Sequence, residues 1–276
     1  MKKLAVIGDP INHSLSPRMH QAAIQALKIS ATYEALHIPR GQISLIKKYQ
    51  KEFIGFNVTI PHKKSVMKYV DQLTPAAKEI GAVNTLYLKN KKWIGDNTDA
   101  PGFLLSLKKN FPNQKIKGTY AVVFGAGGSA YAVVYGLLKS GISKIYLVNR
   151  TKSNAMALIK KMGKLGKKVK YLDPQNDLVL QFALVASKWV INTTSLGMGK
   201  LKKLSPLAKG IKLYPQHCVM DLIYNPAQTI FLKQAQKAGA QTGNGLWMLV
   251  FQGALAFQKF LNRRPNVQRM FRAIQK

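Results

Sequence analysis

The sequence predicts an α/β protein built on parallel strands. Short apolar runs alternate with longer helical patterns through most of the 276 residues, which is typical of parallel strands joined by crossover helices. Near residue 119 a strand pattern runs directly into a glycine-rich turn and a helix. The length fits one large domain or two modest ones.

The first hundred residues alternate between strand and helix patterns. A helix is expected from about Ser16, because Ser-Pro offers an N-cap and a first-turn proline. The predicted strands cover 3–8, 31–38, 55–60, 84–89 and 92–96, and helices are expected over 41–51 and in short stretches after Pro61 and Pro75.

The same alternation continues to the C-terminus. Gly239 is a usual C-cap residue and ends one helix, and Pro265 splits the last two. The segment 161–170 is rich in Lys and Gly and predicts a turn. The predicted strands cover 119–124, 144–149, 168–172, 189–192 and 217–222, and the helices cover 100–109, 129–139, 152–163, 176–186, 229–239 and two stretches of 246–276.

Charge is the most unusual property of the chain. Lys and Arg number 43 against 10 Asp and Glu, so the formal net charge is +33. Residues 101–245 hold 22 basic and 3 acidic residues, which is +19 of that excess. Such a charge suits a nucleic acid or an anionic membrane as partner. The lysines are scattered, however, and form no run of five or six. We interpret the charge as a general lysine surplus and expect no specific nucleic-acid partner.

Several classes of protein are excluded. The single cysteine, Cys218, permits no intramolecular disulfide and makes a thiolate zinc site implausible. The first apolar stretch ends at Gly8, which is too short for a signal peptide. No window of 18 uninterrupted apolar residues would span a membrane. The sequence therefore predicts a cytoplasmic protein without a membrane partner and without a metal.

The segment GAGGSA (125–130) is a G-x-G-x-x-A motif that follows a strand and opens a helix. Its glycines allow a tight turn and let the backbone approach a pyrophosphate, whose charge meets free N–H groups at the helix start. A glycine-rich turn used only for packing is the alternative. The strand–turn–helix context favours phosphate binding.

The end of the next strand indicates which dinucleotide binds. An NAD site generally places an acid there to hold the ribose hydroxyls, whereas Arg accommodates a 2′-phosphate. Here NRTK (149–152) follows the strand, and no Asp or Glu lies between Asp99 and Asp173. A solvated arginine is the alternative, but Arg150 can bind a phosphate through two parallel hydrogen bonds. We expect NADP(H) rather than NAD.

A reductase of this kind needs a proton donor at the ketone oxygen. The five histidines are dispersed, and none of them is compelling alone. Lys63 follows a strand and a proline in NVTIPHK (57–63). In a chain this rich in lysine, its position alone carries little weight.

A series of motifs, in order, resembles the shikimate dehydrogenase family, and the resemblance spans essentially the whole chain. The motifs are GDPINHSLSP (8–17), NVTIPHK (57–63), GAVNT (81–85), DNTD (96–99), NRT (149–151), NTTSLGM (192–198), DLIYNP (221–226) and MLVFQ (248–252).

The resemblance implies a two-domain fold and an activity. A substrate-binding and catalytic domain with a mixed sheet would comprise residues 1–99 and the returning helices of 244–276, and a Rossmann-like NADP-binding domain would comprise 100–243. The implied reaction is the reversible, NADPH-dependent reduction of 3-dehydroshikimate to shikimate. This step belongs to the shikimate pathway, which leads to chorismate and the aromatic amino acids.

The resemblance also implies the roles of individual residues. Lys63 and Asp99 would be catalytic, with Asp99 also binding substrate, and the sequence does not apportion proton transfer between them. The other substrate-binding residues would be Ser14, Ser16, Thr59, Asn84, Tyr224 and Gln252. The NADP(H)-binding residues would be Gly125, Ala126, Gly127, Gly128, Ser129, Ala130, Asn149, Arg150, Thr151, Lys152, Thr193, Thr194, Ser195, Met198, Leu222 and Gly245. Hydroxyl and amide side chains suit a ligand with three hydroxyls, because a site that pairs each one rejects analogues that lack it.

Three positions depart from the family pattern, and two other functions remain open. Tyr131 stands where Arg is common, Asn244 where Asp is usual, and Trp247 where a small residue is common. A quinate/shikimate dehydrogenase is the nearest alternative, and Arg150 argues against its frequent preference for NAD. A nucleic-acid-binding protein with a vestigial dehydrogenase fold is the alternative of another class, and the joint presence of Lys63 and Asp99 argues against it. The chain is expected to be a monomer or a homodimer.

Overall fold

The computed structural model describes residues 1–275, and the chain forms two compact units. Unit 1 comprises Met1–Gly102 and the C-terminal segment from Leu249, and unit 2 comprises Phe103–Met248. Both crossings fall inside continuous helices. The boundaries predicted from the sequence, after residues 99 and 243, lie slightly before these crossings.

Unit 1 is built on a six-stranded mixed sheet. Its strands are β1 (Lys2–Gly8), β2 (Ala31–His37), β3 (Gly55–Val58), β4 (Gln72–Leu73), β5 (Thr85–Lys89) and β6 (Lys92–Asp96). They lie in the order β2-β1-β3-β5-β6-β4. β1 pairs in parallel with β2 and β3, whereas β5 pairs antiparallel with β3 and β6. The hydrophobic core of these strands includes four buried side chains, those of Ala5, Ile7, Phe56 and Val58.

Unit 2 is built on a six-stranded parallel sheet. Its strands are β7 (Tyr120–Phe124), β8 (Lys144–Val148), β9 (Val169–Leu172), β10 (Trp189–Asn192), β11 (Cys218–Asp221) and β12 (Gln241–Gly243). They lie in the order β12-β11-β10-β7-β8-β9, so the direction of winding reverses between β7 and β10. Doubly wound sheets bind ligands at this reversal, beyond the carboxyl ends of the strands.

The helices connect these strands. Within the described residues they are α1 (Ser16–Ala26), α2 (Ile46–Tyr49), α3 (Pro75–Ile80), α4 (Asp99–Asn110), α5 (Gly128–Lys139), α6 (Lys152–Lys161), α7 (Asp177–Ala186), α8 (Ile230–Lys237), α9 (Leu246–Leu261) and α10 (Val267–Ile274). Short polar side chains set several starts: Thr74, Asn176, Thr229 and Asn266 each accept a hydrogen bond from a backbone N–H in the first turn of the helix that follows. None of the helices in this range combines the length and apolar character that a membrane crossing requires.

The predicted α/β class is confirmed, and the sheet of unit 1 is mixed as the resemblance implied. One predicted helix is wrong in form: residues 41–51 contain a short 3-10 helix, Ile43–Leu45, followed by the single turn α2. This shape buries Ile43, Ile46 and Phe53 in one core. The strands β4 and β12 were not predicted, because two or three residues are too few to show a pattern.

Two local predictions also need correction. The N-cap of α1 is Leu15 and not Ser16, and no side chain forms a capping hydrogen bond at this helix end. The Ser16 hydroxyl therefore does not cap the helix. The Lys- and Gly-rich segment predicted as a turn forms a 3-10 helix at Gly163–Lys168, which starts at a left-handed glycine with φ +55°.

Candidate active site

Lys63 and Asp99, the two predicted catalytic residues, form an ion pair in unit 1. Lys63 Nζ donates to Asp99 Oδ2 over 2.7 Å. The two side chains are only 12% and 8% exposed. Lys63 lies in the turn after β3, and Asp99 is the first residue of α4. Because little water reaches either charge, their attraction is stronger than that of a surface pair.

Asn84 holds the other oxygen of this carboxylate. Its side-chain Nδ2 donates to Asp99 Oδ1 over 2.8 Å and to Gln252 Oε1 over 3.2 Å. Its Oδ1 accepts from the backbone N–H of Thr98 over 2.7 Å and from Thr85 Oγ1 over 3.0 Å. Asn84 is 2% exposed, and both ends of its amide are bonded. Its orientation is therefore fixed before any ligand arrives.

A glycine brings Gln252 to this cluster. Gln252 lies on α9, and a Cβ on Gly102 of α4 would lie 2.7 Å from the backbone nitrogen of Gln252. The absence of a side chain at Gly102 thus lets the two helices pack closely. Gln252 is 8% exposed and its Nε2 donates to Leu249 O over 2.7 Å, which fixes the amide so that its oxygen faces Asn84.

Ser14 and Ser16 lie together at the start of α1. The backbone N–H of Ser16 donates to Ser14 Oγ over 3.3 Å. Burial raises the pKa of Tyr33 well above its usual range, and the side chain of Ser16 opposes this shift. Two hydroxyls and the free N–H groups of an eleven-residue helix suit a carboxylate.

The remaining predicted substrate-binding residues are not joined to the Lys63 cluster by a hydrogen bond. Thr59 follows β3, and its methyl group would be 2.5 Å from a Cβ on Gly8, so the loops after β1 and β3 lie against each other. Tyr224 lies in unit 2, where burial raises the pKa of its hydroxyl.

The glycine loop in unit 2 follows β7 and opens α5. Gly125 has φ +102°, and a Cβ there would lie 2.6 Å from Thr193 Oγ1, so glycine is required on both grounds. A Cβ on Gly127 would meet no atom within 4 Å, which leaves open space beside the backbone. The loop is therefore closed on one side and accessible on the other. Its helical part begins with Gly128, Ser129 and Ala130.

The turn after β8 is tied to this loop. Asn149 Oδ1 accepts from the backbone N–H of Ala126 over 3.1 Å, and its Nδ2 donates to Thr151 O over 2.8 Å. Arg150 stands between these anchors, is exposed, and forms no ion pair among residues 1–275. Lys152, also exposed, is the first residue of α6. A 2′-phosphate would thus meet an unpaired guanidinium on a braced turn.

The segment after β10 contributes hydroxyl groups. Thr193 Oγ1 donates to Phe124 O over 2.7 Å, at the end of the neighbouring strand β7. Thr194 Oγ1 donates to Asn192 Oδ1 over 2.7 Å, and these two bonds fix the start of the segment. Ser195 and Met198 are exposed.

Leu222 and Gly245 approach each other so closely that a side chain at position 245 would not fit. A Cβ on Gly245 would lie 1.9 Å from Leu222 O. Beside them, Asp221 is wholly buried and accepts hydrogen bonds from Asn192 Nδ2 over 3.0 Å and from Thr229 Oγ1 over 2.7 Å. Burial raises the pKa of Asp221 to about 6, against the opposing effect of these bonds.

Comparison with known proteins assigns the chain to one family. Residues 6–86 match the model of the shikimate dehydrogenase substrate binding domain, residues 106–207 match that of shikimate / quinate 5-dehydrogenase, and residues 245–275 match that of the shikimate 5'-dehydrogenase C-terminal domain. The chain belongs to the shikimate dehydrogenase family.

Individual relatives agree over almost their whole length. Shikimate dehydrogenase (NADP(+)) of Methanocaldococcus jannaschii is 38% identical over 280 residues, covering 99% of this chain and 96% of the relative. The crystal structure of the Thermus thermophilus shikimate 5-dehydrogenase, in complex with NADP(H) and shikimate, superposes with a TM-score of 0.87 at 34% identity, covering 99% and 98% of the two chains. The structure of a quinate dehydrogenase from Corynebacterium glutamicum in complex with NAD superposes with a TM-score of 0.88 at 29% identity, covering 99% and 98% of the two chains.

The three positions that depart from the family pattern all lie in unit 2. Tyr131 is 5% exposed and packs into the core. Asn244 lies two residues before α9: its Oδ1 accepts from Leu246 N over 3.1 Å, and its Nδ2 donates to Ala227 O over 3.1 Å. Trp247 lies under the ammonium of Lys109, 5.1 Å from the ring centre.

Sequence reasoning missed the residues that orient the cluster. Thr98 and Thr85 share a hydrogen bond of 3.0 Å between their hydroxyls, and both bond to Asn84. Asn57 accepts from Tyr33 Oη over 2.8 Å and donates to Asn84 O over 3.3 Å. Each of these threonines and Asn57 stands inside a motif already noticed. Among the described residues, no group of three or more His, Cys, Asp or Glu side chains is arranged to hold a metal.

Proposed function

We propose that Lys63 and Asp99 perform the proton transfer in the reaction of the family, the reversible reduction of 3-dehydroshikimate to shikimate with NADPH. The observation that carries the proposal is their shielded ion pair of 2.7 Å. NADPH supplies the hydride. Lys63 gives a proton to the ketone oxygen, so no free alkoxide has to form, and takes it back in the reverse direction. Asp99 holds the ammonium in place and balances its charge.

The polar cluster around this pair binds the hydroxyls of the substrate. Asn84 and Gln252 are already oriented by their mutual hydrogen bond, so binding costs little side-chain entropy. Thr59 adds a hydroxyl partner, and the Ser14 and Ser16 pair with the start of α1 receives the carboxylate. Tyr224, which lies in unit 2, stays a substrate-binding residue predicted from the sequence. A ligand that lacks one hydroxyl would make one hydrogen bond fewer to this cluster, which lowers its affinity.

Unit 2 binds NADP(H), and unit 1 binds the substrate. The glycine loop and the start of α5 receive the pyrophosphate, because the loop is open at Gly127 and α5 offers its free N–H groups. Arg150, with Lys152 nearby, receives the 2′-phosphate. The residues beyond β10 and β11, from Thr193 to Met198 with Leu222 and Gly245, line the nicotinamide end.

Oxidation of quinate with NAD is the second candidate, and the structural similarity to a quinate dehydrogenase in complex with NAD favours it. Arg150 at the end of β8 and the absence of an acid there favour NADP over NAD. A cytoplasmic location and a monomeric or homodimeric state stay predictions from the sequence.

Initial rates with shikimate and quinate, each with NADP and NAD, test the proposal in four assays. We expect the highest kcat/KM for shikimate with NADP. A higher kcat/KM for quinate with NAD would replace the first candidate with the second, and no turnover in any combination would contradict both.

A further inference from the structure

Asp96 is a second buried carboxylate in unit 1, at the end of β6 and three positions before Asp99. Its Oδ1 accepts from Thr74 Oγ1 over 2.6 Å and from the backbone N–H of Asn97 over 2.8 Å. Its Oδ2 is 3.1 Å from Nζ of Lys259, which lies on α9. Three donors therefore hold a carboxylate that has no part in the catalytic or substrate-binding set.

Lys259 brings a positive charge to this carboxylate. Its side chain is 42% exposed, whereas that of Asp96 is only 9% exposed. The ammonium also lies over the ring of Tyr87, 5.6 Å from the ring centre, so the ring and the carboxylate both attract it. A carboxylate shielded from water is stable only when bound donors or a cation compensate its charge. The burial of Asp96 therefore depends on Lys259.

Asn97 connects this ion pair to the catalytic carboxylate. Its backbone N–H is bonded to Asp96, and its side-chain Oδ1 accepts from the backbone N–H of Asp99 over 3.1 Å and of Ala100 over 3.3 Å. Its Nδ2 donates to Ala82 O over 2.9 Å. Asp99 and Ala100 are the first two residues of α4. A movement of Asp96 would thus be passed through Asn97 to the start of the helix that carries Asp99.

We propose that Lys259 is a positioning residue for Asp99. Its charge keeps Asp96 buried, and Asp96 in turn fixes the turn from which α4 starts. Without the ammonium, the carboxylate of Asp96 lowers its free energy by moving toward water. That movement shifts the turn and draws Asp99 away from Lys63. The effect on turnover rests on the proposed function, whereas the effect on the distance between Lys63 and Asp99 does not.

Steady-state kinetics with shikimate and NADP test the effect on turnover. Lys259→Met keeps a long unbranched side chain but removes the charge. We expect its kcat to fall by about tenfold or more, with the KM for NADP changed by less than about twofold, because a small displacement of a catalytic group slows the chemical step. Lys259→Arg keeps the charge and should keep most of the turnover. The matched control is Lys92→Met, which removes an exposed lysine at the start of β6 and should keep wild-type kcat.

A double variant separates positioning from a general loss of stability. Asp96→Asn combined with Lys259→Met leaves no buried charge, and the amide oxygen still accepts from Thr74 and from the Asn97 N–H. The double variant should therefore recover about half of the wild-type kcat or more, because the two substitutions compensate each other. A kcat of the double variant no higher than that of Lys259→Met would overturn the proposal.

Crystal structures distinguish a failure of this proposal from a failure of the proposed function. In Lys259→Met the distance from Lys63 Nζ to Asp99 Oδ2 should lengthen from 2.7 Å to more than about 3.5 Å, and the double variant should restore it. Should Lys259→Met not fold, Lys259→Gln, which is also uncharged, takes its place with the same expectations.

An unchanged distance between Lys63 and Asp99 would overturn the positioning role whatever the kinetics show. A kcat of Lys259→Met equal to that of an active wild type would overturn it as well. A lengthened distance in a chain whose wild type does not turn over shikimate would support the positioning role and contradict the proposed function.

Discussion

The polar cluster of unit 1 and the phosphate-binding loop of unit 2 are organised in opposite ways. In unit 1 the Lys63–Asp99 pair and Asn84 are buried, and their polar atoms already bond to one another. In unit 2 Arg150 is exposed and forms no ion pair with any residue from 1 to 275, and Gly127 faces open space. A preassembled cluster serves a chemical step, where geometry must be exact to a fraction of an ångström. An unpaired cation on a braced turn serves binding, because its partner arrives with the ligand.

This difference predicts that substitutions in the cluster lower kcat, whereas substitutions near the loop raise the KM for the cofactor. The variants below test that separation.

Asp99→Asn should produce the largest effect among the variants that leave Lys63 in place. The amide keeps an acceptor for Asn84 but presents a donor to Lys63, so the ammonium loses its partner. We expect kcat to fall by about a hundredfold with NADP binding unchanged, as measured by steady-state kinetics and calorimetry. Asp71→Asn removes an exposed carboxylate of the same unit and should have no effect. Unchanged kcat in Asp99→Asn would contradict the role of the pair.

Arg150→Asp should raise the KM for NADPH by about tenfold to a hundredfold, because a carboxylate repels the 2′-phosphate that the guanidinium binds. The KM for the shikimate-side substrate should change little. NADH lacks the 2′-phosphate, so its KM should rise much less. An equal rise for both cofactors would show that Arg150 does not contact the 2′-phosphate.

The two glycines of the loop should separate stability from binding. Gly125→Ala forces a left-handed φ of +102° on alanine and places its methyl group against Thr193, so we expect it to cost stability, by about 1–3 kcal/mol for the backbone alone. Gly127→Ala meets no protein atom and should unfold like the wild type, yet weaken NADP binding. Urea unfolding and calorimetry measure the two effects. Equal losses of stability would contradict the geometry of the loop.

The smallest effect concerns pH. Burial raises the pKa of Asp221 from 3.8 to about 6, so between these values the folded state holds a proton that the unfolded state has released. The contribution of Asp221 to stability therefore falls as the pH rises through this window. Asp221→Asn does not titrate, so its urea midpoint should decline less from pH 4 to 6 than that of the wild type. Asp173→Asn, at an exposed position, should follow the wild-type curve, and parallel curves for all three proteins would contradict the buried-carboxylate account.

Much of the fold followed from the sequence, because strands such as β7 and helices such as α8 combine an apolar pattern with a clear cap or turn. β4 and β12 lack the length for such a pattern. Lys63 and Asp99 were found through their motifs, but the bonds that Asn84 makes to Thr85 and Thr98 depend on side-chain directions that no spacing reveals. The sequence also did not predict that Leu178, Phe182 and Val185 of α7 are exposed, for a related reason. That helix is apolar on several faces, and the pattern does not show which face is buried.

The central claim is that Lys63 transfers the proton, and the turnover number of Lys63→Ala at saturating shikimate and NADP tests it most directly. We predict a fall of about a hundredfold or more, with NADP affinity unchanged. The control is Lys68→Ala, which replaces an exposed lysine in the 3-10 helix Ser65–Tyr69, and it should keep wild-type turnover. Turnover of Lys63→Ala equal to that of the wild type would contradict the claim.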